Sequence, residues 1–390
     1  MKQKLFKIEP KSFKKPFCLK NAPSADMFLT LTVLALALFG TVMVFSAGYA
    51  YAYARYDDGF YFIKRQVIWL ILGLIAMYAV SHIKPVFFEG VTPIIYIITL
   101  ILLLLVLVIG MVGNGAKRWI SIGPLTIQPS EIAKIAIILI LAKYFSDYEK
   151  PALEKKNKRT IFTYGTLLPI TLMLIPIVLV MLQKHLSCII ILGAIGLLMI
   201  VGAGVDLRYI AACCAIGVSG VTALALFTDY TKERITVWQN PEAYKLTGGW
   251  QTLQGLMAIG SGGIFGVGYG NSVMKHCYVS EPANDMIFTI LCEELGIAGA
   301  VLALGLFALL VYRGFYIAIR ANGVFSRLTA FGISTKMAIQ VLLNVAVVTN
   351  TIPNTGISLP FFSYGGSSLI MIFVEMGILL SISRFSRITK

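Results

Sequence analysis

The sequence predicts an all-α fold: a polytopic integral membrane protein of about ten transmembrane helices, with a large extracytoplasmic loop between the seventh and eighth. Three observations predict it. The 390 residues are 58% hydrophobic and only 13% charged, with mean hydropathy +0.83, whereas a soluble globular chain carries roughly a quarter charged residues. Apolar runs recur at spanning length, a bilayer crossing taking about 20 mostly apolar residues. One long polar interval, from about Asp229 to Asp285, interrupts them.

In chain order, the runs place helices near 27–48, 66–83, 93–112, 131–146, 161–182, 188–204, 209–227, 286–312, 328–352 and 367–383. Pro169 and Pro176 mark the fifth span for a kink. Glu293, Glu294, Gly296 and Gly299 mark the eighth for a bend or break. The chain thus divides into a basic N-terminal tail (1–26), a membrane domain (27–383) that includes the loop 228–285, and a short C-terminal tail (384–390). The run that follows the seven lysines of the tail is longer than a signal-peptide core and precedes further spans. It reads as a retained first helix.

The net charge of +15 does not point to nucleic acid here; it sorts by loop. With the N-terminus inside, inner segments hold 20 lysines and arginines and outer segments ten, so both termini are expected in the cytoplasm. Asp285 and its loop then face outward, where there is no ATP, and an enzyme working there needs a substrate that arrives activated. The six cysteines show no metal-ligand spacing, so neither a metal site nor a disulfide framework is expected.

The polar interval is too long for a plain connector and too rich in apolar and aromatic side chains (Trp238, Tyr244, Trp250, Phe265, Tyr269) for disorder. Asp285 ends it, at the boundary where the apolar run from Met286 begins, with Lys275 ten positions upstream and Lys232 and Arg234 at the far end. A carboxylate at such a boundary can meet water and a bilayer-embedded ligand at once. The glycines between Gly260 and Gly270 follow no βαβ pattern and are read as tight backbone turns, not a nucleotide fingerprint.

Two other stretches and a set of scattered charges carry chemistry. In GAKRWISIGPLTIQPSEIAK (115–134), Lys117 and Arg118 precede the interfacial anchor Trp119, and Glu131 and Lys134 share one helix face at i,i+3. An ionisable pair inside a bilayer is a functional hypothesis by default; a structural pin between helices competes with it on even terms. In TIPNTGISLPFFSYGGSS (351–368), prolines and glycines forbid a continuous helix in an apolar stretch, which suits a re-entrant or cavity-lining loop. Glu293, Glu294, Lys336 and Glu375 are further intramembrane charges whose pairing the sequence leaves open, and His185 reads as a cap or loop residue.

The block 115–134, the loop GGWQTLQGLMAIGSGGIFGVGYGNSVMKHCYVSEPANDMIFTILCEELG and the stretch SLPFFSYGGSSL resemble, in order, the signature blocks of the SEDS family, the FtsW, RodA and SpoVE proteins of bacterial cell-wall synthesis. The GYGNSVMK block is similar to the FtsW/SpoVE branch. QKHLS, ANDMIF and IPNTG depart from the commoner family forms, but the loop aspartate is kept as Asp285. The resemblance implies a peptidoglycan glycosyltransferase that polymerises lipid II into glycan strands on the outer face of the cytoplasmic membrane during division or sporulation. The competing class is a lipid II flippase. Asp285 is implied as the catalytic base. Arg118, Lys117, Lys275 and Arg65 are implied as diphosphate ligands, and Glu131, Lys134, Gln128, Ser130, Gln254 and Ser363 as further substrate contacts. No cofactor is firmly implied, although a divalent cation, Mg2+ or Mn2+, is compatible with diphosphate chemistry. The implied partners are lipid II, the growing strand, a class B penicillin-binding protein and other divisome proteins.

Overall fold

A computed structural model describes residues 24–113, 116–122, 125–154, 161–205, 208 and 229–386. Its helices are α1 (Met27–Tyr56), α2 (Tyr61–Ser81), α3 (Pro85–Ile109), α4 (Pro129–Glu154), α5 (Leu168–Leu182), α6 (Leu186–Gly202), α7 (Asp229–Gln239), α8 (Gly249–Ser261), α9 (Ile287–Arg320), α10 (Val324–Val348) and α11 (Gly366–Arg384). Nine of the ten expected spans coincide with helices, and the seventh, 209–227, lies outside the described residues. Among the described residues, seven helices are long and apolar enough to cross a membrane, α5 qualifying as the continuous helical segment Tyr164–Leu182. α6 is shorter, and α4 is diluted by Glu131, Lys134, Lys143 and Asp147. Several helices outrun the apolar windows that announced them. α1 has 30 residues, about 45 Å at 1.5 Å per residue against a hydrocarbon core of about 30 Å.

One departure from an all-helical chain is a small antiparallel sheet between α3 and α4. Its strands β1 (Met111–Gly113), β2 (Ala116–Ile122) and β3 (Leu125–Ile127) pair in that order, with Ile120 opposite Ile127. In the bundle, α2 packs on α11, α9 on α10 and α3 on α4. Lys336 of α10 and Glu375 of α11, both fully buried, form an ion pair at 2.8 Å. Asp26 caps α1 by accepting from the Leu29 N–H at 2.9 Å, takes a 2.8 Å hydrogen bond from Arg313 Nε, and donates its own N–H to Ser383 Oγ. The start of α1, the later part of α9 and the end of α11 therefore share one end of the bundle, and Asp285 sits at the other, just before α9 begins.

The expected break in the eighth span is present. Gly296 has φ 65° and ψ −162°, dividing α9 into a half-helix over 287–295 and a longer one over 297–320. The loop after α8 inserts into the broken hydrogen-bond ladder. Val267 and Gly268 donate to the carbonyls of Glu293 and Glu294, while Ile297 and Ala298 donate to those of Gly263 and Ile264, each at 3.0 Å. Four backbone groups that a kink would orphan are thus paired within the protein, as burial demands. Only glycine fits the crossing: a Cβ on Gly266 would stand 2.1 Å from the Glu294 carbonyl oxygen, and one on Gly296 would stand 2.4 Å from the Gly266 nitrogen.

Candidate active site

Asp285 stands two residues before α9 on a backbone held at three successive carbonyls. Ala283 accepts from the Tyr364 N–H at 2.8 Å, Asn284 from Ser363 Oγ at 2.7 Å, and Asp285 itself from Asn344 Nδ2 at 2.9 Å. The donors come from α10 and the irregular stretch before α11, and of the two roles expected of 351–368 the cavity-lining one is seen: residues 355–358 and 364–366 line the cavity that Asp285 faces. The half-buried Asp285 side chain faces a cavity of about 980 Å³, at the upper end for small-molecule sites. Gln251 of α8 hydrogen-bonds the carboxyl group, and Oδ1 is buried without a protein partner. Burial pushes this carboxyl up to about 6, and the Glu281 charge adds to that; the residue's own backbone N–H, Arg234 and Gln251 pull the other way.

Three arginines line the same cavity: Arg65 from α2, Arg118 from β2 and Arg234 from α7. The Arg65 guanidinium lies 4.1 Å from the Tyr61 ring centroid and hydrogen-bonds Tyr364. Arg118 Nη2 donates to the Lys184 carbonyl at 2.6 Å, and Arg234 Nη1 donates to that of Asn354. Deeper in the cavity, Lys134 pairs with Glu131 at 2.7 Å and approaches Gln340 Oε1 at 3.5 Å, so the i,i+3 pair read from the sequence forms. Gln128 also lines the cavity. Strands β2 and β3 bring Arg118, Trp119 and Thr126, with Gln128 just after them, to the same cavity wall as Glu131 and Lys134 at the start of α4.

Other predicted site residues lie elsewhere. Lys117 does not line the cavity; its Nζ donates to the Val108 carbonyl at 3.2 Å, serving the last turn of α3. Lys275 is buried in an ion pair with Glu294 at 2.8 Å. Gln254 is buried on α8 one turn past Gln251, which takes the cavity-facing place. Ser363 braces backbone by donating to Asn284 and accepting from the Leu359 N–H. Ser130 lies behind the wall, its Oγ 3.4 Å from His185 Nδ1. His185 occupies the cap position of α6 without a side-chain cap bond and lines the cavity instead. Burial, then Arg118, pushes its imidazole down to about 3, so it is neutral at physiological pH. Sequence reasoning missed Gln251, Asn344 and Asn354. Asn344 carried the one available signal, a polar amide in the middle of the apolar run VLLNVAVV.

Among the described residues no group of three His, Cys, Asp or Glu side chains converges to hold a metal ion. A divalent cation beside Asp285 and Glu281 would have to take most of its oxygens from water and from a bound diphosphate, as Mg2+ commonly does.

Fold and site define a multi-pass membrane protein with a carboxylate and three arginines around a cavity at one end of the bundle. Residues 26–388 match the family model FtsW/RodA/SpoVE, described as "Cell cycle protein", and the chain belongs to that family. It is 39% identical over 366 residues to stage V sporulation protein E of Bacillus subtilis, covering 93% of this chain and 98% of that one. It is 37% identical to a probable peptidoglycan glycosyltransferase FtsW of Geobacter metallireducens, covering 94% and 96%. A solved chain described under "Structural coordination of polymerization and crosslinking by a peptidoglycan synthase complex" superposes with a TM-score of 0.76 at 28% identity, covering 92% of this chain and 98% of that one.

Proposed function

We propose that the protein is a peptidoglycan glycosyltransferase that polymerises lipid II at the outer face of the cytoplasmic membrane, with Asp285 as the base. The observation that carries the reading is the Asp285 carboxyl group, with one oxygen lacking a protein partner, in a cavity lined by three arginines. The name of the Geobacter metallireducens relative, a probable peptidoglycan glycosyltransferase FtsW, agrees with the activity.

The chemistry follows from the parts. The donor sugar is carried on a polyprenyl diphosphate, a good leaving group, so the paired carboxylates of glycosidases are not required. Asp285 takes the proton of the acceptor hydroxyl as that oxygen attacks the anomeric carbon with inversion. The bond to the diphosphate breaks, and its electron pair leaves with the phosphate oxygen. Arg65, Arg118 and Arg234 meet the charge that develops there, arginine offering forked hydrogen bonds to phosphate oxygens. Cation help, if the reaction uses it, adds Lewis-acid stabilisation of the same diphosphate.

Orientation rests on charge. Arg313, Arg320 and Arg384 belong to the bundle end that holds Asp26, which the positive-inside bias assigns to the cytoplasm. The cavity then opens outward. A class B penicillin-binding protein that cross-links the new strands is the partner this reading calls for, and the words "peptidoglycan synthase complex" in the description of the solved neighbour support it.

The deciding experiment is purified protein with lipid II in detergent micelles. Glycan polymer appearing there means an enzyme, because no second leaflet exists to receive a flipped lipid. Lipid II that stays monomeric under all conditions, together with its transfer across proteoliposome membranes, would favour the flippase.

A further inference from the structure

The half-helix 287–295 is set off from the rest of α9 by the break at Gly296. Gly296 ends its ladder, and the inserted loop takes the carbonyls that would have continued it. It is therefore a strut about 13 Å long at 1.5 Å per residue, with Asp285 just beyond one end and Glu293 and Glu294 near the other. The end near Asp285 is held by Asn344, Ser363 and the Tyr364 N–H.

The opposite end is held by charge. Glu294, fully buried, accepts from Ser46 Oγ of α1 at 2.6 and 2.7 Å and from Lys275 Nζ at 2.8 Å. Lys275 Nζ also donates to the Gly270 carbonyl at 2.6 Å and to Ser46 Oγ at 3.1 Å. Next to it, Glu293 accepts from Ser272 Oγ and from the N–H groups of Val273 and Met274. These contacts tie the strut to α1 and to the segment 270–275, closing a loop in which Asp285 lies between Lys275 and Glu294.

Stability alone gives no reason for such a knot. A buried ion pair roughly offsets its own desolvation, and well-packed apolar residues often replace one with no loss. What apolar packing cannot supply is a fixed direction, because its contacts slide where hydrogen bonds to charged groups do not. We propose that Lys275, Glu294 and Ser46 are positioning residues for Asp285: they pin the far end of the strut and so set where the carboxylate meets the acceptor hydroxyl. The proposal rests on the reading of Asp285 as the base.

The test uses full-length protein in detergent with lipid II and two variants. Lys275→Met with Glu294→Leu removes both charges without leaving either unpaired. Ser46→Ala keeps the ion pair and removes the hydroxyl that joins it to α1. The double variant is expected to keep its melting temperature and to keep KM within about twofold, while kcat falls about 10²-fold, the scale of loss for an ångström-sized misplacement. Ser46→Ala is expected to lower kcat about tenfold, again with KM unchanged. A merely structural knot would instead lower the melting temperature and leave kcat alone. Parental kcat in Ser46→Ala, or in a folded double variant, overturns the proposal. Asp285→Asn run in parallel separates the two readings: if it polymerises normally, the assignment of the base has failed; if it is inactive while both knot variants are fully active, only the positioning role has failed.

Discussion

From a single amide nitrogen, Asn344 donates to the carbonyl of Asp285 at 2.9 Å and to that of Ile357 at 2.6 Å. It is fully buried in α10. One side chain thus fastens the backbone of the candidate base to the irregular stretch before α11, which lines the same cavity. Asn344→Ala would leave two carbonyls without this donor, each lost buried partner costing about 1–3 kcal/mol. The expected outcome is a lower melting temperature in detergent together with a fall in kcat at saturating lipid II. Stability loss with undiminished kcat would mean that Asp285 is held well enough without Asn344.

The ion pair of Glu131 and Lys134 makes a second prediction. Both side chains are buried, at 8% and 3% exposure, and Glu131 Oε2 has no protein partner. Glu131→Ala would take away the ion-pair partner of Lys134 and leave it Gln340 Oε1 at 3.5 Å. Breaking one side of a buried pair costs about 3–5 kcal/mol, so folding yield and activity should both drop. Glu131→Lys with Lys134→Glu restores a pair on the same helix face and should recover more than either single change. Strictly additive losses in the double-mutant cycle would show that the two do not act as a pair.

How much of this was legible in the sequence depends on range. The spans were legible because a bilayer imposes a length and a composition on each one, and Asp285 because a polar interval ended on it. The break at Gly296 was legible as two acids and a glycine inside an apolar run. The sheet of β1, β2 and β3 was not, since two of its strands have only three residues each, too short to show an alternating pattern. The choice between Gln251 and Gln254 needed the rotation of α8, which is fixed by packing on α9 rather than by its own pattern. The partner of Lys275 lies 19 positions away and was hidden for the same reason. Lys275 looked like a phosphate ligand because a loop lysine is ordinarily solvated.

Orientation can be read from a native residue. Cys277 is exposed on the loop, whereas Cys188 and Cys292 are buried. A membrane-impermeant maleimide should label the parent protein in intact spheroplasts, and Cys277→Ser should abolish that labelling. Reaction at Cys277 only after lysis would reverse the topology and with it the extracytoplasmic site.

The pH dependence has a definite sign. The Asp285 carboxyl is pushed up to about 6 by burial, from an ordinary value of 3.8. A base works as the carboxylate, so kcat/KM should rise through about pH 6 and level off above it. For stability, the folded protein holds this proton more tightly than the unfolded chain does. The group's contribution is therefore present below the unfolded value and declines as pH rises towards 6. Asp285→Asn removes that slope, so the variant should melt at or above the parent temperature at pH 7.5. A parent rate that is flat between pH 5 and 7 would exclude Asp285 as the titrating base.

The sharpest prediction separates Asp285 from Glu281. Both line the cavity, but their carboxylates are differently engaged. Glu281 accepts a 2.6 Å hydrogen bond from Asn284 Nδ2 and sits on a left-handed turn at φ 53°. Asp285 keeps one oxygen without a protein partner, and its other oxygen lies beside Gly356, where a Cβ would stand 3.5 Å away. The group with spare accepting capacity and a raised proton affinity is the better base. Asp285→Asn preserves size and most hydrogen bonding but cannot take the proton, so polymerisation should fall about 10²–10⁴-fold, with folding and lipid II binding retained. Asp285→Glu should keep a trace of activity, since one added methylene moves the carboxylate by about an ångström and such shifts can cost about 10²-fold. Glu281→Gln keeps an acceptor for Asn284 and removes one negative charge near Asp285. It should leave most of the activity in place and move the acid limb of the pH profile slightly downward, because the Glu281 charge raises the Asp285 value. If Glu281→Gln is inactive and Asp285→Asn polymerises lipid II near the parent rate, the base is Glu281.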